Sequence, residues 1–165
     1  MNEALNHLIE ALREELKQYG EMLALLDQEQ DLVMNRQTFG ISPCVMAINA
    51  QGEILQTVRH EREQRLRHLL HELQLSEQTS LKELILRLPS QYQPLVQALL
   101  HENKELLVRV QQRARQNHLL LSRMVDLMQK LIGSLLPGGA PATYTGGGVM
   151  LTPALPGQPF YEAIG

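Results

Sequence analysis

Leu99-Leu100-His101-Glu102-Asn103-Lys104-Glu105-Leu106-Leu107, continued ten residues on by Asn117-His118-Leu119-Leu120-Leu121-Ser122-Arg123-Met124-Val125-Asp126-Leu127-Met128-Gln129-Lys130-Leu131-Ile132, decides the fold. Leu99, Asn103, Leu106, Val110, Arg113, Asn117, Leu120, Met124, Leu127 and Leu131 alternate steps of four and three, which is the seam of a heptad helix. No Gly or Pro interrupts that period between Pro94 and Gly133. A second stripe, Leu100, Leu107, Ala114, Leu121 and Met128, widens the seam into a face fit for more than one neighbouring helix. Toward the C-terminal end the face overfills. In 119–132 apolar residues occupy both stripes and positions between them, more than one packing face uses, so something besides the chain's own helices is expected to cover that end.

Working outward, the whole chain has the composition such a helix needs as partner. Of 165 residues 44% are hydrophobic but only 4% aromatic, with no Trp, so the core is built from Leu, Val, Ile and Met. Leu-rich, aromatic-poor cores favour helices packed on helices. The length suits one domain. A net charge of −3 supplies no field for nucleic acid. Cys44 stands alone, so no internal disulfide is expected. The N-terminus lacks a basic segment followed by an apolar core, and no apolar run is long enough to span a bilayer. The reading is a soluble cytoplasmic protein without membrane insertion.

Upstream, Leu5, Leu8, Ile9, Leu12, Leu16, Tyr19, Leu23, Leu26 and Val33 repeat the three-four spacing and predict a first helix over about 2–38, with Gly20 inside it. Gly40 suits its C-terminal cap, and Ser42-Pro43 suits the start of a second helix over 43–74. That second helix is apolar at both ends and charged all round in the middle, Arg59-His60-Glu61-Arg62-Glu63-Gln64-Arg65, which reads as a solvated face. Ser80 with Glu83 makes a capping box for a short helix over 81–88. Pro89 and Pro94 separate it from the long helix over 91–132, with Ser90 as its cap. The fold expected is all-α: an elongated antiparallel helical bundle over 1–132, followed by a Gly/Pro-rich flexible tail over 133–165. Eight of the eleven glycines and five of the eight prolines fall in that tail.

Chemistry finds little foothold. A bundle with six His invites a di-iron reading, but no His has a Glu three residues before it. His68, His71 and Glu72 share a face at a spacing that lacks the i, i+4 His pair of a helix-borne zinc site, so they read as surface residues. Cys44 follows a proline at an expected helix start, where a thiolate is favoured, yet no base accompanies it. Gly146-Gly147-Gly148 lacks the Lys and Ser/Thr of a phosphate loop. Neither an enzyme, a metal site nor a cofactor is expected. Asn103 and Asn117 have two readings: polar seam residues that fix register, or donors for a partner's backbone. Tyr144, in Thr143-Tyr144-Thr145-Gly146, reads either as a linker residue or as the aromatic anchor of a docking motif.

Taken together, the Leu/Glu/Gln-rich first helix, the Leu88-Pro89 break, Leu99-Leu100-His101-Glu102-Asn103-Lys104-Glu105-Leu106-Leu107, Asn117-His118-Leu119-Leu120-Leu121 and the Thr143-Tyr144-Thr145-Gly146 tail resemble the FlgN family of flagellar type III export chaperones, over about residues 5–148. Where family tails carry charges after the Tyr, this one continues with glycines. The resemblance implies a cytosolic chaperone that binds the helical ends of hook–filament junction proteins, keeps them unassembled and delivers them to the export apparatus. It gives the apolar excess a use: Leu119, Leu120, Leu121, Met124, Val125, Leu127, Met128, Leu131 and Ile132 would receive a client helix, and Tyr144 would dock on the export gate. The competing reading is a homo-oligomeric coiled-coil scaffold, in which 119–132 is a homodimer seam.

Overall fold

The structure, a computed structural model, describes residues 2–136. Four helices follow in order, α1 (Asn2–Met34), α2 (Thr38–Glu72), α3 (Leu81–Arg87) and α4 (Gln93–Leu135), and no strand occurs among the described residues. The all-α expectation is met.

The direction of each helix can be read from polar contacts between them. Cys44, Gln51 and Arg62 of α2 meet Leu25, Gln18 and Glu15 of α1. Numbers rise on one helix as they fall on the other, so the pair is antiparallel. On α4, Asn103 Nδ2 donates to the Leu12 carbonyl at 2.9 Å and Asn117 Nδ2 to the Leu26 carbonyl at 2.7 Å, each across 91 residues of chain. Numbers rise together here, so α4 runs parallel to α1, the up-down-up course that consecutive antiparallel helices dictate. α1 packs along both α2 and α4, α3 rests on α4, and α2 and α4 hardly meet. The central helix is therefore α1.

The core divides into two apolar clusters. At the end where α1 starts, Leu5, Leu8 and Leu12 pack with Leu69 and Leu70 of α2, Leu84 of α3, and Val96 and Leu99 of α4. Farther along, Tyr19, Met22 and Leu26 pack with Cys44, Ile48 and Leu55 of α2 and Val110 and Ala114 of α4. Between them lies a polar layer. Glu15 is buried, accepts from the Tyr19 hydroxyl at 3.1 Å, and lies 3.1 Å from Arg62 Nε in an ion pair that lacks hydrogen-bond alignment. The charged middle of α2 is thus not solvated all round: Arg62 turns inward because its carboxylate sits on another helix.

Helix ends also depart from expectation, for one shared reason. α1 stops at Met34 through a Schellman closure: Arg36 sits at φ 55°, its N–H bonds the Val33 carbonyl and the Gln37 N–H reaches back to Leu32. α2 closes identically, with Gln74 at φ 55°, its N–H on His71 and the Leu75 N–H on Leu70. In both cases the left-handed position is filled by a residue other than Gly, so Gly40 is not the cap. It lies inside α2 instead, where a Cβ would come within 2.7 Å of Leu32 Cδ2, and its absence lets α2 start close against α1. Ser42-Pro43 likewise lies inside α2. Pro43, the sixth residue of α2, cannot donate the ladder bond to the Phe39 carbonyl. The Ser80–Glu83 capping box is present, with bonds of 3.3 and 3.1 Å. Ser90 does not cap α4; Tyr92 precedes its first residue and Pro94 sits in its first turn. α4 continues through Gly133 to Leu135, past the expected end at Ile132.

Gly20 lies mid-helix, and a Cβ there would meet nothing within 4 Å. Gly20→Ala is expected to stabilise the protein by roughly 0.5–1 kcal/mol, a rise in Tm of about 1–4 °C for a chain of this size. Gly40→Ala, which must displace Leu32, is expected to give no gain. Thermal melts of the two variants beside the parent check both.

Candidate functional site

The parallel pairing of α1 and α4 has a geometric consequence at its far end. With partners 91 residues apart, Met34, the last residue of α1, stands level with Val125. α4 continues to Leu135, about 15 Å farther at 1.5 Å per residue. The chain reverses at Asn35–Gln37 at the same level, so neither α1 nor α2 follows α4 outward. The end of α4 overhangs the bundle.

Burial follows this register. Leu120, Leu121, Met124 and Val125 flank the last two turns of α1 and are half-buried. Leu127, Met128, Leu131 and Ile132 are exposed, Leu127 and Leu131 each to 61%, and Leu119 is exposed on the outer side of the helix. All nine residues expected to form a client surface thus retain accessible apolar area, and four of them lie past the point where α1 ends. Four further exposed apolar residues lie at this end, outside the nine expected there. Leu135 and Leu136 extend the apolar run, because α4 does not stop at Gly133. Met34 and Phe39 flank the reversal, Phe39 at 99% exposure. The signal available for Phe39 was an aromatic in an otherwise polar turn. Tyr144 lies outside the described residues.

A second polar layer seats the overhang on the bundle. Asn117 is fully buried and donates both to the Leu26 carbonyl and to Glu29 Oε2 at 2.8 Å. Arg113 pairs with Asp27 at 2.8 Å and donates to Gln30. Burial pushes the Glu29 carboxyl above the usual carboxylate range, and the hydrogen bond from Asn117 opposes that shift. Asn103 and Asn117 occur two heptads apart on α4, and their acceptors Leu12 and Leu26 are two heptads apart on α1. Both asparagines therefore act within the chain, as register residues of its own seam. Cys44 is buried, its thiol donating to the Leu25 carbonyl at 3.5 Å, and burial followed by the Glu29 charge pushes its pKa up, the reverse of an activated thiolate. His68 lies 3.9 Å from Glu72 on the exposed side of α2.

No helix of the described residues is long and apolar enough to cross a membrane. Compared with known proteins, residues 1–152 match the model of the family described as FlgN protein. No curated protein and no solved structure matches the chain.

The asparagines differ in what their loss leaves behind. Asn117→Leu strands the buried Glu29 carboxylate and is expected to cost about 1–3 kcal/mol. Asn103→Leu frees only backbone carbonyls of helices and is expected to change stability by less than about 1 kcal/mol. Glu29 has a raised native pKa, so its stabilising share is complete below the ordinary carboxylate range and lost as pH rises through the native value. Glu29→Gln is accordingly expected to melt higher than the parent at neutral pH, with the difference closing as pH falls toward 4; denaturant titrations at the two pH values check the sign.

Proposed function

The chain belongs to the FlgN family and so has the general role of a flagellar export chaperone, and from that premise we propose that its client surface is the overhanging end of α4. On this reading it binds the helical ends of hook–filament junction proteins in the cytoplasm, prevents their premature assembly and delivers them to the export apparatus.

The observation that carries the reading is apolar area left outside the fold. Leu127, Leu131, Ile132 and Leu135 project beyond the end of α1. Each Leu or Ile side chain withdrawn from water contributes roughly 1.5–3 kcal/mol, so a client helix laid along this face has a large driving force without any polar chemistry. Leu and Met side chains suit such a surface, because their flexible, unbranched or γ-branched stems adapt to partners of differing shape. An amphipathic client helix would bring its own apolar stripe into the angle between α4 and the α1–α2 reversal, a helix-in-groove contact. Covering the client's terminal helices blocks the surface through which those helices otherwise pack in the assembled filament. Met34 and Phe39 extend the same end and would form the far lip of the site. Tyr144 is proposed to contact the export gate after the client is bound.

Replacing Leu127, Leu131 and Ile132 together by Gln is expected to weaken binding of a hook–filament junction protein roughly a hundredfold or more while leaving far-UV helicity unchanged, since none of the three is buried in the bundle. Unaltered affinity would overturn the assignment. A free protein that sediments as a tight dimer, and remains one when client is added, would favour the scaffold reading instead. Tyr144→Ala is expected to leave client affinity intact and to impair export; loss of client binding on that change would contradict the division of labour.

A further inference from the structure

A second surface lies at the other end of the molecule and is independent of the overhang. Because α2 and α4 both pack on α1 but hardly on each other, a groove opens between them, with a volume of about 500 Å³. Its floor is the α1 segment Leu12, Glu15 and Tyr19, and α3 closes one side. Along α4 it extends from Gln97 to Leu107, about 15 Å or three helical turns.

Two properties of its walls describe an occupant. The first is an apolar stripe: Leu100 and Leu107, one heptad apart on α4, with Leu81 and Ile85, one turn apart on α3, are all only half-buried. Such spacing matches the anchors of a docking helix. The second is charge. Arg59 and Arg62 of α2, Lys82 of α3 and Lys104 of α4 line the groove with Glu15 as its one lining carboxylate, and Arg62 is already paired with Glu15 and with Glu63. The lining side chains thus carry more positive than negative charge in a protein whose net charge is −3. At its base Asn103, seven per cent exposed, holds a buried Oδ1 without a partner.

We propose that this groove docks an acidic amphipathic helix of about three turns from a partner protein, with an apolar stripe toward Leu100, Leu107 and Ile85 and Asp or Glu residues flanking it toward Lys82 and Lys104. The chain's own C-terminal segment does not have this chemistry: residues 137–165 contain one charged residue, Glu162. The site is separate from the client face, so both can be filled at once, which allows a client-loaded chaperone to be held by a second protein.

The test uses the full chain and a synthetic fourteen-residue helical peptide, capped at both ends, with Leu on one face and Glu on its flanks. Two controls go with it: the same peptide with Lys for Glu, and polyglutamate of equal charge. Fluorescence anisotropy is expected to show binding of the Glu peptide alone, weakening as salt is raised. The double substitution Lys82→Glu with Lys104→Glu, both at exposed positions, is expected to lower that affinity about tenfold or more and to admit the Lys peptide, whereas the Leu127, Leu131 and Ile132 substitutions leave it unchanged. The proposal is overturned if both peptides bind equally, if polyglutamate binds as tightly as the amphipathic peptide, or if charge reversal has no effect. It is also overturned if the overhang substitutions abolish peptide binding, or if sedimentation shows the groove filled by a second copy that the charge reversal releases. Retained peptide binding with lost client binding, in the overhang variant, separates this site from the proposed client surface.

Discussion

One helix serving two longer neighbours is the constraint from which the rest follows. α1 spans 33 residues and α4 spans 43, and they run parallel in a register set by Asn103 on Leu12 and Asn117 on Leu26. Their starts are nearly level, so the whole difference in length accumulates at one end. A shift of one heptad would bury much of the surplus and expose an equal length at the other end. The register thus determines where apolar surface is left over, and it is left where the sequence is most densely apolar.

What holds that register is polar rather than apolar. Leu-on-Leu packing tolerates slippage by a heptad, since every heptad offers a similar hole. A backbone carbonyl recurs at every residue of α1, but the Glu29 carboxylate that accepts from Asn117 and the Asp27 that pairs with Arg113 each stand at one level, so a shift by a heptad would lose them. The asparagines carry a cost: both leave Oδ1 buried without a partner, and Asn117 brings the carboxylate of Glu29 inside with it. The Glu15–Arg62 pair belongs to the same class, because desolvation offsets most of what a buried ion pair gains. The Glu15–Arg62 layer interrupts the apolar core between the cluster around Leu5 and Leu70 and the cluster around Met22 and Ile48, and the Asn117–Glu29 layer lies past the second cluster. On the proposed function the apolar end has to stay available, which requires a bundle that does not slide to cover it.

Much of this was legible in the sequence because periodicity reports faces. The heptads over 99–131 and 5–33, the capping box at Ser80 and Glu83, the surplus at 119–132 and the seam character of Asn103 and Asn117 are all local patterns, and the four helices follow from them. What stayed hidden was non-local. Arg62 looked like one of several solvated cations, since its partner Glu15 lies on another helix. The turn after α1 was misplaced because Gly40 and Pro43 are strong punctuation, whereas the residues that reverse the chain, Arg36 and Gln74, have no intrinsic preference for the left-handed region they occupy. Gly133 reads as the end of α4, yet one glycine in a helix costs only about 1 kcal/mol, and the apolar run resumes at Leu135. Phe39 and the basic groove belong to the arrangement of helices, which heptads do not encode.

Amide hydrogen exchange along α4, in the free protein and after addition of a hook–filament junction protein, tests the central claim most directly. The register of α1 against α4 predicts slow exchange over 96–117 and fast exchange over 126–135 in the free protein, with the second segment becoming protected when client is bound. Exchange equally slow over 126–135 without client, or client protection that falls on 96–117 and spares the overhang, would contradict it.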